Sequence, residues 1–177
     1  MIPYCGRPEN FTELILSNFG KILKPGDILI HLGDICIGKD AEWNARFSLA
    51  TLGVKCILVK GNHDRKSDSW YLDNGWDFVC HTFSMRTHGL KIVFSHMPVP
   101  LSDNDLNIHG HFQNLLNKNY DRDWESQDPE YKNRHSLEHA TLNHVNISIE
   151  EANYLPILMN DNFLKSIVPV DKKSKEN

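Results

Sequence analysis

The sequence predicts an α/β domain in which a largely parallel sheet is covered by helices. Residues 27–59 read as a strand, a helix and a second strand, the repeat from which parallel sheets are built. In addition, polar side chains follow directly after several of the predicted strands. Ligand sites of α/β sheets collect outside the carboxyl ends of the strands, so the second observation supports the same class.

The elements of the first half follow from hydrophobic periodicity and from turn residues. A helix is predicted from Asn10, because apolar side chains then recur on one face, and it ends before Pro25. A β-branched strand at residues 27–32 comes next. A second helix, for which Asp40 is the expected cap, then leads to an apolar strand that ends at Val59.

The second half contains shorter elements. Ser67 or Asp68 is expected to cap a short helix. Residues 78–86 alternate as a strand, and a tight turn at residues 88–89 leads into a strand at 91–95, so the two form a hairpin. The weaker elements are two strands and a final helix, at residues 106–108, 145–149 and 161–167.

Length and composition indicate an ordinary globular protein. A chain near the size of these 177 residues buries roughly 70% of its unfolded surface, which is enough for a core. Its 40% hydrophobic and 24% charged residues exclude a disordered or fibrous chain. With a net charge of -4 and no basic stripe, we expect no binding of duplex nucleic acid, whereas a small nucleotide substrate stays compatible.

The cysteine pattern and the N-terminus predict a cytoplasmic protein. The four cysteines are widely separated and form no Cys-x-x-Cys pair, which is typical of free thiols in a reducing compartment. The first residues do not resemble a signal peptide, and no apolar run reaches the length of a membrane span. We therefore expect no membrane partner.

Residues 1–170 are predicted to form one domain that carries a polar insertion at 113–143. The insertion mixes charges and shows little periodicity. Its three aromatic residues are Tyr120, Trp124 and Tyr131. Long irregular segments of compact domains are often functional, and these aromatic side chains favour a lid beside a site. Residues 171–177 form a charged polar tail, for which disorder is expected.

Polar groups at four strand ends are predicted to form one metal site. Polar groups near a core must be paired or ligated, and binding a metal and a phosphate is a task that such groups can share. One carboxylate, one amide oxygen and two imidazoles favour Mn, Fe or Zn over a pure Ca or Mg site. The residues expected to converge are Asp34, Asn62, His63, His96 and His111.

The chemistry of this site predicts hydrolysis of phosphate esters. A bound metal holds phosphate oxygens and lowers the pKa of a bound water from about 15.7 towards roughly 7 in favourable zinc cases, so that metal-bound hydroxide exists at neutral pH. With two metals about 3.5 to 4 Å apart, Asp34 would bridge them. His63 would donate a proton to the leaving alkoxide, and Asp64 would orient its ring.

Four successive motifs lie at the ends of predicted strands, namely Gly33-Asp34, Gly61-Asn62-His63-Asp64, Ser95-His96-Met97-Pro98 and His109-Gly110-His111. Together they resemble the motifs of the calcineurin-like metallophosphoesterases. The similarity is to small single-domain bacterial and phage-type members, and it covers roughly residues 2–112 and 144–160.

The resemblance implies a fold, an activity and a ligand set. It implies two facing mixed sheets flanked by helices, a four-layer α/β/β/α sandwich, and hydrolysis of small phosphomonoesters or phosphodiesters with two divalent metals. By motif, Asp34 would bridge the metals, and the other ligands of the second metal would be Asn62, His96 and His111. His63 would be the proton donor, in agreement with the prediction made above from the chemistry of the site.

The sequence departs from the family pattern at the first metal. The family opens with an Asp-x-His motif that this chain lacks, and Gln113 stands at the last histidine of the family pattern. In one interpretation, an upstream segment supplies Asp-x-His and the Gln113 carbonyl is a ligand. In the other, the chain holds one metal or none and its activity is impaired. A missing first strand would also leave an exposed sheet edge, which favours an oligomer.

Two alternatives to a phosphoesterase follow from the same sequence. The run from His135 to His139 matches the His-x-x-Glu-His pattern of inverted zinc metallopeptidases, although a chance match of solvated histidines in the insertion is favoured. The other is a non-enzymatic scaffold that binds a metal or a nucleotide on the same fold. Metal content and esterase activity, measured together, distinguish these hypotheses from a phosphoesterase.

Overall fold

Helices and strands alternate along the first half of the chain, as the sequence predicts. The computed structural model describes residues 7–112, 141–150 and 152–168. None of the helices in these residues is both long and apolar enough to cross a membrane. The elements in chain order are α1 (Phe11–Ile22), β1 (Ile28–His31), α2 (Asp40–Ala50), β2 (Lys55–Val59), α3 (Asp68–Asp73), β3 (Phe78–Cys80), β4 (Thr82–Thr87), β5 (Leu90–Ser95), β6 (Leu106–His109), β7 (His144–Asn146) and α4 (Asp161–Ile167).

The first sheet has the order β1-β2-β3, and all its pairs are parallel. Helix α2 provides the crossover from β1 to β2, which confirms the predicted strand, helix, strand unit. Within the described part of the chain, β1 lies at an edge of this sheet, and Ile28 at its start is exposed.

The second sheet has the order β4-β5-β6-β7 and is mixed. Strands β4 and β5 form the predicted antiparallel hairpin, and its turn residues His88 and Gly89 both have positive φ angles. The other pairs of this sheet are parallel. The single strand predicted at residues 78–86 is wrong: β3 belongs to the first sheet and β4 to the second. Alternation is the same in both sheets, so the sequence pattern does not show where the chain changes sheet.

The two sheets face each other across one core, and the helices α1 and α2 pack on the outer face of the first sheet. Successive residues of β2 show the division, since Leu58 packs towards the helices and Val59 towards the second sheet. The inner core contains Val59, Ile92, Phe94, Leu106, Ile108 and Leu164. The outer core contains Phe19, Phe47, Cys56, Leu58, Tyr71 and Trp76. This arrangement confirms the predicted facing sheets with flanking helices, although the first sheet is parallel rather than mixed in the described residues.

Helix caps agree in part with the sequence. The Ser67 hydroxyl accepts a hydrogen bond from the Trp70 backbone N–H, as predicted for α3. Asp40, however, is the first residue of α2 rather than its cap. Lys39 holds the cap position in a left-handed conformation. The predicted lid, Gln113, the His135 to His139 pattern and the tail at 171–177 lie outside the described residues.

Candidate metal centre

Four loops meet at the carboxyl ends of β1, β2, β5 and β6. Asp34 follows β1, Asn62 follows β2, His96 follows β5 directly, and His111 follows β6. One ligand atom from each of Asp34, His96 and His111 lies within 4.8 Å of the others. The structure therefore brings together side chains that are far apart in the sequence.

Two glycines let the first two loops approach each other through their backbones. A Cβ on Gly33 would lie 2.4 Å from the Gly61 nitrogen, and a Cβ on Gly61 would lie 2.2 Å from Asp34 Oδ1. Neither position has room for a side chain. Asp34 itself has a φ of 56°, a left-handed conformation that Asp tolerates better than most residues.

The Asp64 carboxylate joins these two loops. Its Oδ2 accepts hydrogen bonds from the backbone N–H groups of Asp34 (2.7 Å) and Gly61 (2.8 Å), and its Oδ1 accepts one from Ile35 (3.1 Å). The side chain is buried. The contacts of Asp64 are thus with the backbone that carries Asp34, and they do not support the expectation that Asp64 orients the His63 ring.

Asp64→Asn is expected to lower the free energy of unfolding by about 1–3 kcal/mol, because the new amide N–H group would face a buried backbone donor. Chemical denaturation measures the loss. Asp77→Asn is a matched control, since the exposed Asp77 carboxylate accepts one bond from the Cys56 backbone. Equal losses in the two variants would contradict the role given to Asp64.

His96 stands at the centre of the cluster. Its Nδ1 donates a hydrogen bond to the Leu32 carbonyl oxygen at 2.7 Å, which fixes the ring orientation and leaves Nε2 to face the site. Nε2 lies 3.0 Å from Asn62 Oδ1 and 3.2 Å from Asp34 Oδ2. It also lies 2.8 Å from Nδ1 of His111. Several atoms with lone pairs thus converge on one point, where a proton or a cation has to balance them.

The pKa shifts of His96 and Asp34 indicate that the space between their side chains favours a positive charge. Burial lowers the pKa of His96, but the hydrogen bond to Asp34 and its negative charge outweigh burial and raise that pKa. Burial likewise raises the pKa of Asp34, but contacts with His96 and His63 outweigh it and hold that pKa below its ordinary value. A metal cation would take the place of the proton, since metal ligands bind in their deprotonated form.

Asn62 and His63 occupy different places, although they are neighbours in sequence. The Asn62 side-chain oxygen contacts His96, so Asn62 joins the cluster. His63 donates its backbone N–H to Asp34 Oδ1 at 2.9 Å, and its ring is close enough for its charge to act on Asp34. Gln113, the remaining predicted ligand, lies outside the described residues.

Sequence reasoning missed two groups that shape the site. One is the Leu32 carbonyl described above, which no pattern of side chains reveals. The other is His31, whose Nδ1 accepts a hydrogen bond from the Gly33 backbone N–H at 3.1 Å. Burial lowers the pKa of His31, which favours the neutral ring that this bond requires. The position of His31 directly before Leu32-Gly33-Asp34 is the sequence feature from which its role could have been predicted.

Comparisons with known proteins identify a family and a relative of this chain. A family model described as calcineurin-like phosphoesterase matches residues 5–168. An uncharacterized protein of Methanocaldococcus jannaschii is 24% identical over 164 residues, which cover 89% of this chain and 78% of that protein.

One solved structure shows a likeness in fold over most of this chain. The crystal structure of a protein of unknown function from Aquifex aeolicus has a TM-score of 0.63 at 24% identity, with 92% of this chain and 87% of that chain covered. A structure described as a novel archaeal phosphodiesterase overlaps only in part, with a TM-score of 0.39 at 20% identity, over 56% of this chain and 67% of that chain.

Proposed function

Because the chain belongs to the calcineurin-like phosphoesterase family, we propose that it is a metal-dependent hydrolase of small phosphomonoesters or phosphodiesters. One observation carries the proposal, namely that ligand atoms of Asp34, His96 and His111 lie within 4.8 Å of one another. We further propose the cytoplasm as its compartment, since Cys36, Cys56 and Cys80 are free thiols.

The residues present suit a divalent ion such as Mn, Fe or Zn. Asp34, Asn62, His96 and His111 offer the mixed oxygen and nitrogen ligands that these metals accept. A bound ion would supply phosphate binding and a lowered pKa of water. The convergence of their lone pairs at His96 Nε2 supports a cation at this point. The described ligands account for one ion, and a second would need further groups such as Gln113.

His63 is the proposed proton donor to the leaving alcohol. Its backbone N–H donates a hydrogen bond of 2.9 Å to Asp34, which supports a position of this residue next to a proposed metal ligand. General acid catalysis by a positioned histidine contributes typically about 100- to 10,000-fold. Asp64 keeps its proposed place in the site, but through the backbone of Asp34 and Gly61 rather than through the His63 ring.

Hydrolysis of two model esters by the metal-stripped and reloaded chain tests the function. We expect p-nitrophenyl phosphate or its bis-p-nitrophenyl diester to be hydrolysed after loading with Mn²⁺ or Zn²⁺, and not after chelation. The ester that reacts faster shows whether monoesters or diesters are preferred. Bound metal without hydrolysis of either ester would contradict the enzyme and support a binding scaffold.

A further inference from the structure

A buried asparagine lies beneath the loop that carries His96. Asn107 is in β6, and its side chain is 0% exposed. Its Oδ1 accepts a hydrogen bond from the Val99 backbone N–H at 3.1 Å. Its Nδ2 donates to the Val93 carbonyl at 3.1 Å and to the Ser95 hydroxyl at 2.8 Å. The amide therefore binds the chain on both sides of His96.

A second hydrogen bond extends this contact into the loop. The Ser95 hydroxyl, itself buried, donates to the Met97 carbonyl at 2.6 Å. Asn107 thus holds residues 93, 95 and 99 directly and residue 97 through Ser95. Since each of these polar atoms is near the core, loss of the amide would leave several of them without partners.

The same strand also fixes the position of His111. The backbone N–H groups of Gly110 and His111 both donate to the His96 carbonyl oxygen, at 3.1 and 2.9 Å. Strand β6 therefore holds the residues on both sides of His96 through Asn107. Residues 110 and 111, which follow the strand, hold the backbone carbonyl of His96. Movement of the loop would change the distance between the two imidazoles.

We propose that Asn107 is a positioning residue for the metal site, which it serves by fixing the loop of His96. The proposal rests on the proposed metal-dependent function. The neighbours of Asn107 in β6, Leu106 and Ile108, point to the opposite face of the sheet and belong to the inner core. An amide at this buried position is explained by the loop that it holds, because an apolar side chain would occupy the space but leave the polar atoms of the loop without partners.

Asn107→Leu in the full chain tests the proposal, with Co²⁺ and Mn²⁺ affinity and the Co²⁺ absorption spectrum as readouts. We expect affinity to fall about 10- to 100-fold, as is typical when groups that orient metal ligands are removed, and the spectrum to change. Hydrogen exchange at the Val99 amide should also become faster. These readouts do not depend on catalytic activity.

Asn44→Leu is the matched control. Asn44 is equally buried, but it binds the Trp76 indole N–H and the Asp40 carbonyl in the outer core. We expect this variant to lose stability and to keep metal affinity within about twofold, because neither of its hydrogen-bond partners belongs to the loop of His96 or to the metal ligands. Equal losses of affinity in the two variants would overturn the proposal.

Ser95→Ala provides a milder test in case Asn107→Leu does not fold. It removes only the link from Asn107 to Met97, and a loss of affinity of a few-fold is expected. Thr51→Ala is its control, since the buried Thr51 hydroxyl binds the Phe47 carbonyl away from the site. Unchanged affinity and spectrum in Ser95→Ala and in any folded Asn107 variant would overturn the proposal.

These experiments distinguish a failure of the proposed hydrolase function from a failure of the positioning role of Asn107. If the unsubstituted chain binds metal but hydrolyses neither ester, the proposed function fails, while a selective loss of affinity in Asn107→Leu still supports the positioning role. If the unsubstituted chain hydrolyses the esters and Asn107→Leu binds metal normally, the positioning role alone fails. A chain that binds no metal would contradict both.

Discussion

His63→Ala is expected to lower the turnover of phosphate esters by the metal-loaded chain about 100- to 10,000-fold, the range for a positioned general acid. Metal content should stay that of the unsubstituted chain, because the ligand cluster consists of other side chains. The backbone N–H of residue 63, which binds Asp34 Oδ1, is also kept in alanine. Steady-state kinetics and elemental analysis of the same samples measure both effects.

His81→Ala is the control for this substitution. His81 is an exposed residue between β3 and β4, and it should have no effect on turnover or on metal content. The leaving group provides a second check, since p-nitrophenolate needs a proton less than an alkoxide does. Alkyl phosphates should therefore lose more activity than p-nitrophenyl phosphate. Full activity of His63→Ala on an alkyl ester would contradict the proton donor.

Gly61→Ala is expected to abolish metal binding and to destabilise the fold. The new Cβ would lie 2.2 Å from Asp34 Oδ1 and 2.7 Å from the Asp34 nitrogen, so the loop of Asp34 has to move. Inserting a methyl group into a well-packed site costs about 1–3 kcal/mol. Since Asp64 also binds Gly61 and Asp34 together, the strain would reach three residues of the site. Thermal unfolding and metal titration check this result.

Gly20→Ala is the matched control for Gly61→Ala. Gly20 lies inside α1, and the nearest atom to a Cβ there is the Ala50 carbonyl oxygen at 4.0 Å. This substitution should stabilise the protein by about 0.5–1 kcal/mol, because alanine favours the helix over glycine. Its metal affinity should not change. Normal metal binding by Gly61→Ala would show that the two loops do not need their close approach.

Much of the site could be predicted because polar residues interrupt apolar strands at their ends. Asp34, Asn62, His96 and His111 each follow such a strand, and parallel strands place their carboxyl ends at one edge. The facing of the two sheets was implied by the family resemblance, since periodicity alone does not say which strands share a sheet. For this reason residues 78–86 were predicted as one strand, although they divide between the sheets.

The functions of single contacts were harder to predict. Asp64 is next to His63 in sequence, which suggested a bond between the two side chains. Its partners are instead backbone N–H groups, two of them about thirty residues away, that no side-chain pattern indicates. Asn107 is similar, because its neighbours in β6 are apolar and only the structure shows the loop above it.

The most direct test of a metal centre at Asp34, His96 and His111 is a crystal structure of the protein grown with Zn²⁺. Anomalous scattering at the zinc edge locates the ion in such crystals. We predict an ion within about 2.0–2.2 Å of Asp34, of Nε2 of His96 and of a ring nitrogen of His111, the usual bond lengths for zinc. Zinc bound elsewhere, with none between these side chains, would contradict the metal centre and the function proposed from it.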